Sequence, residues 1–143
     1  MIRSLPMLIA ACICAVAFLF GIIRIGVGAV LATQAIGIVD VAAFSGPVTE
    51  IQQFLNEQND QALLPLTPVS YLAIIAFMGL CLVFGAVLSW QRKSWGYGLL
   101  SIYLLTHASL FVNFQTINPK INILIAGIIM LIILVFANQR RRI

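Results

Sequence analysis

Apolar residues run through this chain in four long blocks, and the polar positions between them mark where each block ends. Val69–Trp90, Gly96–Gln115 and Ile121–Asn138 each supply about the 20 predominantly apolar residues that carry a helix across a hydrocarbon core of roughly 30 Å. A fourth block begins near Leu5 and extends to Phe44, too long for one perpendicular helix and interrupted by Arg24. Arg3 and Arg24 lie 21 positions apart, a rise of about 31 Å in a helix, or one bilayer core. The first span is therefore placed at about residues 5–30, with a loop over residues 31–68. Arg24 then sits at the outer interface with its guanidinium reaching for headgroups. The alternative sets it deeper, paired with Asp40 or with an anionic substrate. A fifth span over Ile25–Phe44 would invert the charge distribution described below. Either the first helix continues beyond the membrane, or Gly26, Gly28 and Gly37 bend the chain into an interfacial or re-entrant piece.

The loop has a pattern of its own. Ser45-Gly46-Pro47 reads as a helix start, with proline in the first turn. Val48, Ile51, Phe54 and Leu55 follow at helical spacing, with Glu50, Gln53 and Glu57 facing elsewhere. That pattern predicts a short amphipathic helix lying on the membrane or on the bundle, ended by Asn59-Asp60. Thr67 and Pro68 then cap and open the second span, and Asn118-Pro119 repeats the device before the last. Small residues at Ala76, Gly79, Val83 and Ala86 form a stripe on the second span that lets a neighbouring helix approach closely in lipid. The first helix, itself rich in alanine, is the expected partner.

Composition agrees with the pattern. Of the 143 residues, 62% are hydrophobic and 8% charged, against about 25% charged in soluble domains. Charge sets the orientation. Arg3, Arg92, Lys93, Arg140, Arg141 and Arg142 fall beside helix ends on one side. Lys120 alone lies on the other, together with Asp40, Glu50, Glu57 and Asp60. The positive-inside rule makes both termini and the Gln91–Ser94 turn cytoplasmic, and turns the acidic loop and Thr116–Lys120 outward. The net charge of +4 is thus a topology signal, not a nucleic-acid one. Trp90, Trp95 and Tyr97 flank Arg92 and Lys93 as an interfacial girdle that anchors the inner headgroup level. With no animal-type targeting signal and a basic tail, the chain suits a bacterial inner membrane.

Candidate chemistry concentrates on the third span. Tyr103, Thr106, His107, Ser109 and Asn113 share one broad face, with Gln115 near its outer end. These groups either satisfy one another and neighbouring carbonyls, contacts worth about 0.6 kcal/mol each in lipid, or line a pocket for a headgroup, quinone or other small amphiphile. The first is the expectation. In the second, Tyr103, Thr106, His107, Asn113 and Arg24 are the ligand-binding candidates. A lone histidine is a poor metal site, since catalytic metals take about three protein ligands, so neither metal nor cofactor is expected. Cys12, Cys14 and Cys81 fall inside spans, where thiols act as small apolar groups. Ile9-Ala10-Ala11-Cys12 loosely matches a lipoprotein cleavage box, but the apolar sequence running past it reads as a plain first span.

Absences narrow the field further. No carboxylate lies well inside a span, which disfavours proton-coupled antiporters and the small multidrug transporters. The Glu/Arg/Asn motifs of the glutathione-dependent membrane enzymes and the paired cysteines of membrane thiol oxidases are absent. So are the tryptophan and two cysteines of a claudin-like outer loop. In layout, with its long first loop, basic Trp-containing second turn and tight final hairpin, the chain resembles the DoxX-like small bacterial membrane proteins. No residue role or activity follows from that likeness. The expected fold is all-α, a single-domain integral membrane four-helix bundle with one amphipathic helix in the outward loop. The leading functional expectation is a non-enzymatic accessory or assembly subunit, docking a protein partner through an exposed Val48, Ile51, Phe54 and Leu55 face, or associating with its own copies. A binder or carrier of a lipid or quinone on the His107 face is the alternative, and an enzyme ranks third.

Overall fold

Helices account for nearly all of the chain. The computed structural model describes residues 4–115 and 121–140, which form five helices and, among the described residues, no strand. They are α1 (Ser4–Ala35), α2 (Ala42–Gln58), α3 (Pro68–Trp90), α4 (Ser94–Phe114) and α5 (Ile121–Arg140). Four of them, all but α2, are long and apolar enough to cross a membrane, which indicates an integral membrane protein. Their outer faces carry large apolar side chains, among them Leu19, Ile23, Leu105 and Phe136, as suits a bundle whose solvent is lipid. Expectations placed on Arg3, Thr116–Lys120, the Asn118-Pro119 cap, Arg141 and Arg142 lie outside the described residues.

The four long helices close a ring. Neighbours pack in the order α1–α3–α4–α5 and back to α1, with the α1–α3 seam the most extensive. The stripe on α3 meets α1 as its small residues predict. A Cβ on Gly21 would come within 2.8 Å of the Gly79 carbonyl oxygen, and one on Gly28 within 2.9 Å of the Ala76 nitrogen. Gly21 therefore lies beside Gly79 and Gly28 beside Ala76, an antiparallel register. It sets Trp90 level with Ala11 and Cys14, so the first turns of α1 overhang the bundle. The core between the helices is built on Ala10, Met78, Leu82, Ala86, Leu100 and Leu134.

α1 continues unbroken through Arg24, Gly26 and Gly28 to Ala35. The bend falls at Gly37, which takes the left-handed conformation with φ +75°. There Gly37 N–H donates to the Gln34 carbonyl and Ile38 N–H to that of Thr33, a pairing that satisfies the last turn's carbonyls. Gln34 then pins the corner, its amide oxygen accepting from Val41 N–H at 3.0 Å and its amide nitrogen donating to Asp40 at 3.5 Å.

α2 starts at Ala42, not at Ser45-Gly46-Pro47, so Pro47 lies inside the helix. Packing overrides the local signal. Phe44, upstream of the expected start, joins Leu31, Val48 and Leu72 in a small apolar cluster, and that contact holds the extra turn in helical form. The same cluster corrects the expectation of an exposed docking face. Val48 is buried, Leu55 is only 1% exposed and Ile51 and Phe54 are half-buried. In this chain α2 lays its apolar face on α1 and α3, because burying it there removes it from solvent without a partner. Thr67 caps α3 as predicted, its hydroxyl accepting from Ser70 N–H at 3.2 Å while Ser70 Oγ accepts from Thr67 N–H at 2.9 Å. The turn between α3 and α4 leaves Trp95 80% exposed.

Candidate functional site

Arg24 is the residue that the fold places least as expected. Its neighbours are Met78, at the middle of α3, and Tyr103, at the middle of α4, so its guanidinium lies at mid-height in the bundle. The side chain is half-buried and turned inward. Nη1 donates to the Met78 sulfur at 3.7 Å, and the guanidinium carbon stands 4.9 Å from the Phe20 ring centre and 5.5 Å from that of Tyr103. Nε is buried without a hydrogen-bond partner among the described residues. None of these contacts is a carboxylate, and Asp40, the expected partner, is engaged by Gln34 at the far end of α1. Each of the two cation–π contacts is worth about 0.5–2 kcal/mol, against the roughly 2.5–3.5 kcal/mol that an arginine costs at the centre of a membrane helix, and neither supplies a counter-charge.

Arg24 borders a half-open cavity of about 310 Å³ lined by four helices. α2 supplies Glu50 and Phe54, and α3 supplies Tyr71 and Met78. The α4 wall is His107, Phe111 and Phe114, one stripe at i, i+4 and i+7. Phe54 meets Phe114 edge to face at 5.4 Å between ring centres, and Tyr71 meets Phe114 at 6.3 Å. Deeper in, His107 stacks on Phe111 at 5.4 Å and tilts against Tyr103 at 5.8 Å. One cation, one imidazole and a box of rings therefore converge on a single space.

Of the candidates read from sequence, the structure gathers Arg24, Tyr103 and His107 and leaves two aside. Thr106 returns its hydroxyl to the Ile102 carbonyl of its own helix at 2.9 Å, and Ser109 does the same to Thr106 at 2.8 Å. Asn113 clamps the loop before α3, its oxygen accepting from Leu64 N–H at 2.8 Å and its nitrogen donating to Leu64 O at 3.0 Å. Gln115 adds a bond to Gln61 O at 3.0 Å. Both are structural ties. Tyr71, Met78, Phe111, Phe114 and Glu50 were missed. The α4 pair was readable, since both phenylalanines continue the His107 stripe. The others reach the site only through tertiary packing.

Two further features bear on the assignment. A cleft of about 410 Å³, lined mainly by α1, α4 and α5, is larger but carries no charged side chain, and Tyr103 and Asn122 are its only polar side chains. At the Trp90 end, Asn138 on α5 is 1% exposed and donates to Ser89 O at 3.1 Å and to the Tyr97 hydroxyl oxygen at 2.8 Å. That ties three helices together, and α5 is accordingly not purely apolar. Cys12, Cys14 and Cys81 form no disulfide among the described residues, and no cluster of metal-ligating side chains forms among them either. No protein-family model, curated protein or solved structure matches the chain. The functional reading therefore rests on the cavity.

Proposed function

We propose that this chain binds, and holds or carries within the bilayer, a small amphiphile whose acidic head pairs with Arg24. One observation carries the reading: a guanidinium at mid-height in an apolar bundle, facing a cavity, with no carboxylate among its described contacts. Ionisable groups at that depth are costly and mark ligand or ion pathways by default. A charged donor fork gains most from a planar oxyanion, so the missing counter-charge is an acid brought by the ligand. His107, on the same wall, adds a second hydrogen-bonding group, and the aromatic side chains take the apolar body. The setting is the inner membrane of a bacterium, with both termini and the Arg92–Lys93 turn cytoplasmic and α2 on the outer side, as the distribution of basic residues favours. An accessory-subunit role is the second reading, and it needs a docking surface other than Val48 and Leu55, which are buried within the chain.

Native mass spectrometry on protein extracted gently from its own membrane tests this. The wild-type chain is expected to carry one tightly held acidic small molecule per copy, and Arg24→Gln to lose it while keeping its helical content. Arg24→Lys retains part of the binding, since charge survives but the bidentate fork does not. A wild-type chain that carries no small molecule, or an Arg24→Gln chain that retains the same one, overturns the reading.

A further inference from the structure

The position of Arg24 argues for an acid, and the size and walls of its cavity argue for a particular kind. Resting on the Arg24 reading, we infer that the ligand is a planar mono-acid built on two fused aromatic rings, with its acid group on Arg24 and its rings against Tyr71, His107, Phe111 and Phe114.

Three observations lead there. The first is volume. A cavity of about 150 Å³ accepts a benzene ring, so the 310 Å³ beside Arg24 admits two such rings. The second is the lining. Every helix that faces Arg24 across the cavity presents a ring, and these rings already pack at 5.4–6.3 Å in edge-to-face, tilted and stacked geometry. Such walls attract another π system beyond what area burial alone supplies. The third is the solvent. In a bilayer, an alkyl chain gains no hydrophobic free energy on moving from lipid tails to an apolar cavity, because the tails are as apolar as leucine. It also loses rotamer freedom that a rigid ring system never had. Selection at this site must therefore come from ring packing and from Arg24. Glu50 borders the cavity from α2 and repels a second anionic group at that end, which leaves one acid per ligand.

The test uses the full chain in phosphatidylcholine nanodiscs and four probes. These are 2-naphthoate, 2-naphthol with the same rings but neutral, benzoate with one ring, and decanoate with a flexible chain. 2-Naphthoate is expected to bind one per chain, on the order of tenfold tighter than benzoate or decanoate. Arg24→Gln abolishes its advantage over 2-naphthol. Phe111→Leu, with Phe114→Leu as a second variant and melting curves for both, erodes the preference over decanoate but leaves the preference for acid. If decanoate or benzoate matches 2-naphthoate on the wild-type chain while Arg24→Gln weakens all the acids, the ring assignment falls and the acid site stands. If Arg24→Gln binds every acid as well as wild type does, both fall.

Discussion

Single atoms decide how closely α1 and α3 pack. At Gly21 and Gly79 the two backbones touch: a Cβ on Gly79 would meet the Gly21 carbonyl oxygen at 2.7 Å, and the obstacle is main chain that cannot swing aside. Gly21→Ala therefore separates the helices, and the expected cost is about 1–3 kcal/mol of overpacking. Gly26 lies five positions on in the same helix, yet nothing stands within 4 Å of a Cβ there. Gly26→Ala should stabilise the protein by about 0.5–1 kcal/mol through lower backbone entropy in the unfolded chain. Thermal melts in one detergent check both, and equal effects at the two positions would mean that the seam does not depend on the Gly21–Gly79 contact.

Helix ends show how far local chemistry reached and where it stopped. Two turns close by the same hydrogen-bond pairing. Gly37 occupies the left-handed position after α1, while after α3 that position holds Arg92 at φ +61°. There Arg92 N–H donates to Ser89 O and Lys93 N–H to Leu88 O. A residue with a Cβ in that conformation costs about 1–2 kcal/mol. Arg92→Gly is thus expected to be about 1 kcal/mol more stable than Arg92→Ala, since both remove the guanidinium and only one removes the strain. A denaturant titration of the two variants measures it, and indistinguishable stabilities would refute the strain. Signals of this local kind were legible in the sequence: the Thr67-Pro68 cap, the α3 stripe and the lengths of the apolar blocks all hold. The start of α2 was not legible, because Gln34 and Leu31 on α1 and Leu72 on α3, the partners of Val41 and Phe44, decide it from other helices. Asn138 was legible only as the end of a span, since its partners Ser89 and Tyr97 come from two other elements.

At the scale of the whole molecule, the site exists only because four helices meet, and its key residue is misplaced by any reading of α1 alone. Arg24 counted from the N-terminus lies one bilayer away. Arg24 seen from Met78 and Tyr103 lies at mid-height in the bundle. The same packing that places it there leaves its charge poorly compensated in the ligand-free protein, for its neighbours are a thioether and two ring faces. A ligand-free chain is therefore stabilised by removing that charge, and a ligand-bound one is not. Arg24→Met, which keeps an unbranched side chain in the same space, should raise the stability of protein stripped of small molecules by up to about 2 kcal/mol, the part of a central arginine's cost that its two ring contacts leave uncompensated. For wild-type protein with its acid bound, mass action restores the difference: the bound form melts higher than the stripped one, by an amount that grows with ligand concentration. Arg24→Met should show no such shift. Melting all four samples in one lipid separates the cases. A variant less stable than stripped wild type would mean that Arg24 is held by the bundle for packing and not for a ligand.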